Sequence, residues 1–120
     1  MKMHVTFTSP YARLARMVVI EKGLEDRVEV LGAQTRTTDS PYYDINPSGR
    51  VPYLELDDGT GLEESALICY YLDHLDGAPS LMPHDDPDHL EAKRLEALAR
   101  SMLDGMGVWG REFAYRPPEL

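Results

Sequence analysis

The most constraining feature of the sequence is a proline at the point where an apolar strand should begin, within NPSGRVPYLEL (residues 46–56). Pro52 has no N–H group and cannot donate to a sheet ladder, so a strand accepts it only at its first residue, at an edge or at a bulge. A cis Val51–Pro52 bond that turns the backbone of Val51 outward is one explanation of this placement. Most X–Pro bonds in folded proteins are trans, so the residues alone leave the question open.

Composition and charge exclude several classes of protein. The 120 residues, 42% of them hydrophobic, suffice for one compact domain or for one domain and part of another. A net charge of −9 argues against a nucleic-acid-binding face, and the lone Cys69, which we expect to be buried, excludes an internal disulfide. No apolar run approaches the roughly 20 residues that span a bilayer. Because Arg13, Arg16 and Glu21 interrupt the apolar stretch near the N-terminus, a signal peptide is not predicted, and we expect a cytoplasmic protein.

The first part of the chain predicts two strands joined by a helix. Alternation from Met3 to Phe7 is typical of a short strand, and residues 28–31 predict a second one. Between them, Ser9 can cap a helix and Pro10 suits its first position. Strands joined by a helix are expected to be parallel, with a right-handed crossover.

The rest of the chain predicts a loop, a hairpin and two helices. Residues 33–48 are polar and predict a loop with one short helical turn, and Asp58-Gly59 is a strong hairpin signal after the strand at Pro52. A second helix opens at Ser65, and a linker is predicted at residues 78–86. A long helix follows, on which apolar residues recur at steps of three and four: Leu95, Leu98, Met102, Met106, Trp109 and Phe113.

Three motifs, in this order and spacing, resemble the glutathione transferase superfamily. They are SPYARLARM (residues 9–17), NPSGRVPYL (residues 46–54) and LEESALICYYLD (residues 62–73). Each motif alone is modest evidence, whereas the three together cover most of the N-terminal domain of that family.

The resemblance implies the fold class and the domain boundaries. We expect an α/β, thioredoxin-like βαβ-ββα domain with a mixed four-stranded sheet at residues 1–77. After a linker at residues 78–86, residues 87–120 would form the first helix of the family's all-α C-terminal domain. Most members of the family continue for several more helices.

The resemblance also implies a glutathione site built from two segments. A cis bond at Pro52 would expose the N–H and C=O of Val51, which would pair with the cysteine backbone of glutathione as a short antiparallel strand. Arg50 would reach the glycine carboxylate of glutathione, although an exposed structural arginine is about equally expected. Ser65, at a helix N-terminus, would hold the γ-glutamyl carboxylate and Glu64 would face the amino group. Helix capping by Ser65 is the alternative role, and the two roles are compatible.

Ser9 is the predicted catalytic residue. Attack by glutathione requires its thiol as thiolate, against an unperturbed pKa of about 8.5. A hydroxyl donor at a helix N-terminus stabilises that anion by a charge-assisted hydrogen bond and by the helix dipole. Tyr11 and Thr8 are alternative donors, and a plain helix cap is the alternative role for Ser9.

The expected function is conjugation of the glutathione thiolate to a small hydrophobic electrophile, without a metal. Tyr11, Met106, Trp109 and Phe113 form the predicted pocket for that second substrate, with ordinary helix packing as the alternative. A non-catalytic interaction module and a glutathione-dependent isomerase or dehalogenase are the alternative functions. A thiol-disulfide oxidoreductase is disfavoured because Ser9 is not a cysteine.

The apolar stripe of the last helix also predicts a homodimer or a higher homo-oligomer. A continuous apolar stripe left in water forms a patch of a size that soluble monomers rarely expose. We therefore expect the chain to bury the stripe by self-association.

Overall fold

A computed structural model describes residues 1–82 and 87–120 of the chain. They form two compact units, Met1–Leu81 and Met82–Leu120. The helices and strands are β1 Lys2–Val5, α1 Pro10–Glu21, β2 Glu29–Gly32, α2 Tyr42–Ile45, β3 Tyr53–Glu55, β4 Gly61–Leu62, α3 Ser65–Asp73 and α4 Pro87–Tyr115. Of the linker predicted at residues 78–86, residues 83–86 lie outside the described part of the chain.

The first unit is built on a mixed four-stranded sheet with the strand order β2-β1-β3-β4. β1 pairs in parallel with β2, with Met3 opposite Val30, and antiparallel with β3, with Met3 opposite Leu54. β3 and β4 form the predicted hairpin, in which Leu54 faces Leu62. A parallel pair needs a long crossover, and α1 provides it between β1 and β2. The predicted thioredoxin-like class is confirmed.

Helix α1 begins as its sequence predicts, whereas the strand before it ends earlier than expected. The Ser9 hydroxyl accepts a hydrogen bond from the Ala12 N–H at 3.2 Å, and Pro10 occupies the first turn. The prediction that β1 extends to Phe7 was wrong. The chain turns after Val5, where the Ser9 N–H bonds to the Thr6 carbonyl, and the Phe7 side chain is 66% exposed.

The core lies where α1 and α3 contact each other and the sheet. Met3 and Leu54 from neighbouring strands are fully buried, as are Ile68 and Leu72 on the inner face of α3. Cys69 is also buried, which confirms the packing position predicted for it. Burying such side chains is worth about 1.5–3 kcal/mol each and makes this layer the main source of stability in the first unit.

A buried lysine joins the end of α1 to the chain beyond α3. The Lys22 side chain is 1% exposed, and its ammonium nitrogen lies 3.5 Å from carboxylate oxygens of both Asp73 and Asp76. It also donates to the carbonyls of Ala78 and Pro79, at 3.2 and 3.0 Å. The segment after α3 is thus fixed to the first unit by hydrogen bonds to a buried charge.

Asp73 completes this network from the last turn of α3. Burial alone would raise the pKa of the Asp73 carboxyl, but hydrogen bonds from the Leu81 N–H and the Ser80 hydroxyl and the charge of Lys22 outweigh it and lower the pKa. The carboxylate is therefore held in its charged form opposite Lys22.

The second unit consists largely of α4, a single helix that matches the predicted long helix in extent. Its predicted apolar stripe is exposed, from Leu95 at 51% to Phe113 at 84%. The glycines at positions 105, 107 and 110 do not interrupt it. None of the described helices is long and apolar enough to cross a membrane.

We predict that Asp73→Asn destabilises the first unit by about 3 kcal/mol. Of the two carboxylates that face the buried Lys22 ammonium, the substitution removes the charge of the buried one. Asp76→Asn should cost less than about 1 kcal/mol, because Asp76 is partly exposed. Urea unfolding monitored by circular dichroism measures both. The pKa of Asp73 is lowered in the folded state. Its contribution to the free energy of unfolding is therefore complete above the unfolded pKa, near 3.8, and is lost as the pH falls through the folded pKa. Equal losses in the two variants at neutral pH would contradict the assignment.

Candidate functional site

A tight turn at residues 46–49 directly precedes the predicted glutathione-binding segment. The Asn46 side-chain oxygen accepts from the Ser48 N–H at 3.1 Å, and the Gly49 N–H bonds to the Asn46 carbonyl at 2.9 Å. Gly49 has a φ of +66°, and a Cβ at this position would lie 2.7 Å from the ring of Tyr43. Glycine is favoured here both by the backbone conformation and by the space available.

After the turn, the backbone of Val51 has no hydrogen-bond partner in the described part of the chain. The Val51–Pro52 peptide bond is cis, and Pro52 directly precedes β3. Within residues 1–82 and 87–120, neither the N–H nor the C=O of Val51 makes a hydrogen bond. Because Val51 is half-buried, its N–H and C=O are open to solvent or to a ligand as a donor and an acceptor.

Two buried side chains hold the carbonyl immediately before Val51. The Tyr42 hydroxyl donates to the Arg50 carbonyl at 2.5 Å, and the Asn46 amide donates to the same oxygen at 3.1 Å. Tyr42 and Asn46 are 4% and 3% exposed. Burial raises the pKa of the Tyr42 hydroxyl above its ordinary value of 10.0, despite the hydrogen bond from Asn46, so the hydroxyl remains a donor at neutral pH.

The second predicted segment lies at the start of α3. Helix α3 begins at Ser65, which is buried, and Glu64 occupies the N-cap position with no side-chain hydrogen bond to the helix. The Glu64 carbonyl accepts from the Ile68 N–H. Glu64 has a φ of 71°, which is uncommon for a residue other than glycine. The side chain of Glu64 thus does not cap the N-terminus of α3, and a helix N-terminus is a position that suits a carboxylate.

Side-chain contacts connect the two segments. The Ser48 hydroxyl donates to the Glu63 carboxylate at 2.5 Å and accepts from the Arg50 N–H at 3.2 Å. The Arg50 guanidinium lies 3.9 Å from the Glu64 carboxylate, with both side chains largely exposed. The turn before Val51 and the start of α3 are therefore neighbours. The Arg50–Glu64 pair is too exposed to contribute much stability.

Ser9 combines the two roles considered for it without conflict. Its oxygen accepts the capping hydrogen bond from the Ala12 N–H. A hydroxyl is also a donor, so the O–H of Ser9 remains available to a ligand at the N-terminus of α1. Of the two alternatives, Thr8 is exposed, whereas Tyr11 is half-buried and already makes an interaction within the protein.

The residues of the predicted second-substrate pocket are divided between the two units. Tyr11 belongs to the first unit, and Met106, Trp109 and Phe113 lie exposed on α4 in the second. The Trp109 and Phe113 rings contact each other, with centroids 5.8 Å apart. The pocket formed by these residues stays a prediction.

Sequence reasoning missed the support of the Arg50 carbonyl. Tyr42 and Asn46 lie in a stretch that was predicted to be a polar loop with one short helical turn, and α2 is that turn. The buried ring of His4 lies 5.5 Å from the Tyr42 ring, measured between centroids, and its Nε2 is 2.9 Å from a carboxylate oxygen of Glu55. An aromatic residue four positions before an asparagine, both ahead of a glycine turn, is the signal that was available.

Comparison with known proteins places these features in a family. Residues 8–75 match the family model for the glutathione S-transferase N-terminal domain. The uncharacterized GST-like protein YibF of Escherichia coli is 31% identical over 114 residues, which are 95% of this chain and 55% of that protein. Glutathione S-transferase 2 of Saccharomyces cerevisiae is 34% identical over 116 residues, 91% of this chain and 48% of that protein.

Solved structures give the same result. A glutathione transferase family member from Pseudomonas fluorescens, with bound glutathione, superimposes with a TM-score of 0.89 at 31% identity, over 98% of this chain and 58% of that one. A glutathione S-transferase from Methylobacillus flagellatus, also with glutathione bound, gives 0.85 at 35% identity, over 98% and 57%. The chain spans about half the length of these relatives. Since the family model matches more than half of its residues, the chain belongs to the glutathione transferase superfamily.

Proposed function

We propose that the chain binds glutathione across Val51 and the start of α3, and conjugates its thiolate to a small hydrophobic electrophile. The observation that carries the proposal is that the N–H and C=O of Val51 have no hydrogen-bond partner among the described residues, next to a helix whose N-cap residue, Glu64, makes no side-chain capping bond. Relatives whose structures contain glutathione support the choice of ligand. Glutathione acts as a substrate, and the reaction uses no metal.

Each part of the tripeptide meets a group of matching chemistry. The cysteine backbone pairs with Val51, as a peptide does when it adds a strand to a sheet. The γ-glutamyl carboxylate lies at the N-terminus of α3 beside Ser65, and Glu64 faces the amino group. Arg50 turns to the glycine carboxylate, which requires only the loss of a long, exposed contact with Glu64.

Ser9 stabilises the thiolate. Its O–H donates to the sulfur while its oxygen keeps the cap of α1, and the partial positive charge of the helix N-terminus adds to the effect. Both interactions favour the anion over the thiol, whose unperturbed pKa is about 8.5. The anion then attacks a small hydrophobic electrophile, and catalysis arises from positioning and nucleophile activation.

We also propose a cellular location, a biological role and an oligomeric state for the chain. The chain acts in the cytoplasm, in detoxification, as a homodimer or higher homo-oligomer. The exposed apolar stripe on α4 supports self-association, since a patch of this kind is stabilised when a second surface covers it.

We predict that Ser65→Ala raises the Kd for glutathione about 10- to 100-fold, measured by isothermal titration calorimetry. A hydrogen bond to a charged group is worth about 1.5–3 kcal/mol, which corresponds to that range. Ser101→Ala is the matched control, because Ser101 is exposed on α4, and it should leave the Kd unchanged. Wild-type affinity in the Ser65 variant would remove the γ-glutamyl carboxylate from the start of α3.

We predict that Ser9→Ala lowers kcat with a chloronitrobenzene electrophile about 10- to 100-fold and leaves the Kd for glutathione nearly unchanged. The loss of the cap also lowers stability by about 1 kcal/mol, so a second variant is needed. Ser9→Asp keeps a good cap but offers no donor to the thiolate, so its kcat should fall at least as far as that of Ser9→Ala. Ser9→Thr keeps both the cap and the donor and should retain turnover.

Unaltered turnover in Ser9→Ala would assign Ser9 to capping alone. Tight glutathione binding by the wild type without turnover of any electrophile would instead favour the non-catalytic interaction module. Turnover by isomerisation or dehalogenation would assign the same site to those reactions.

A further inference from the structure

We propose that Tyr42 and Asn46 are positioning residues for ligand binding, acting through the peptide bond between Arg50 and Val51. They fix the plane of this peptide and strengthen its N–H as a hydrogen-bond donor. The inference rests on the proposed function, because the ligand that receives this donor is taken to be the cysteine carbonyl of glutathione.

The geometry follows from the planarity of the peptide group. The Arg50 carbonyl and the Val51 N–H belong to one rigid plane, so fixing the direction of the oxygen also fixes the direction of the N–H. The Tyr42 hydroxyl and the Asn46 amide donate to this oxygen at 2.5 and 3.1 Å. Two donors on one acceptor restrict the rotation of the plane far more than one would.

The orientation of each donor is itself fixed. The Asn46 side-chain oxygen accepts from the Ser48 N–H, so its amide nitrogen is the group that faces the Arg50 carbonyl. That nitrogen also lies 3.3 Å from the Tyr42 hydroxyl oxygen, and can donate to it. The hydroxyl proton of Tyr42 is therefore directed to the carbonyl.

Burial makes the arrangement costly to change. Both side chains are less than 5% exposed, and an unsatisfied buried polar group costs about 1–3 kcal/mol. The Tyr42 ring is held from the sheet side by the ring of His4, and His4 pairs with Glu55 on β3. The Tyr42 side chain is thus in contact with the sheet through its ring and with the turn through its hydroxyl.

The same contacts polarise the peptide. A carbonyl that accepts hydrogen bonds makes the N–H of its own peptide group a stronger donor, because linked hydrogen bonds reinforce one another. The Val51 N–H has no partner within the described residues, so this gain is available to a ligand. Tyr42 and Asn46 would raise affinity without touching glutathione.

Tyr42→Phe tests the proposal, because it removes one hydroxyl and keeps the buried ring. We expect the Val51 amide proton to move upfield in the NMR spectrum of the ligand-free protein, and the Kd for glutathione to rise about three- to tenfold. Tyr43→Phe is the matched control, since the Tyr43 hydroxyl accepts from the Thr37 N–H instead. It should change neither quantity.

Asn46→Asp provides a second, independent variant. The aspartate keeps an oxygen for the Ser48 N–H but turns an acceptor towards the Arg50 carbonyl, so both effects should exceed those of Tyr42→Phe. Thermal unfolding of each variant separates a general loss of stability from the local change at Val51.

An unmoved Val51 amide resonance in both variants, or an unchanged Kd in both, would overturn the proposal. If the wild type binds no glutathione, the proposed function fails. A shift of the Val51 amide in Tyr42→Phe but not in Tyr43→Phe would still support the positioning of this peptide by Tyr42.

Discussion

The Arg50 carbonyl accepts hydrogen bonds from two buried side chains, and the geometry of the candidate site depends on this acceptor. It lies between an exposed glycine turn and β3, where a chain with no such support would be free to reorient. The ring that carries the supporting hydroxyl contacts the ring of His4 on β1, so an inner strand of the sheet lies against the support of this acceptor. A change that disturbs the sheet at His4 should therefore also disturb the geometry of the site.

The first unit also contains a buried pair of charged groups whose hydrogen bonds are satisfied. Lys22 and Asp73 form a pair with almost no exposure, and hydrogen bonds from Ser80 and Leu81 satisfy the carboxylate. The contacts around the site are different in kind, because Ser48, Glu63, Arg50 and Glu64 are exposed. Strong interactions therefore fix the frame, and weak ones connect the two segments that would hold a ligand.

Elements that depend on local chemistry were predicted from the sequence. Ser9-Pro10 started a helix and Asp58-Gly59 made a hairpin, since a cap and a turn act within a few residues. The early end of β1 before Phe7 was not predictable from alternation, because the turn at residues 6–9 competes with the strand.

Contacts between distant residues were not predictable. Lys22 and Asp73 lie far apart in sequence, and no local pattern pairs them. Within the candidate site, the resemblance to the family pointed to Val51, Glu64 and Ser65. Tyr42 lies in a segment that was predicted to be a loop with one short helical turn, and no role was predicted for its hydroxyl. Its role depends on the approach of the Arg50 carbonyl, which only the folded chain brings to it.

The most direct test of glutathione binding at Val51 and α3 is an NMR titration of the ¹⁵N-labelled chain with reduced glutathione. We expect saturable shifts of the Val51 and Ser65 amide resonances, with little change on α4 at Ser101. Saturable shifts centred elsewhere, or no shifts at all up to high glutathione concentration, would contradict the assignment of this site.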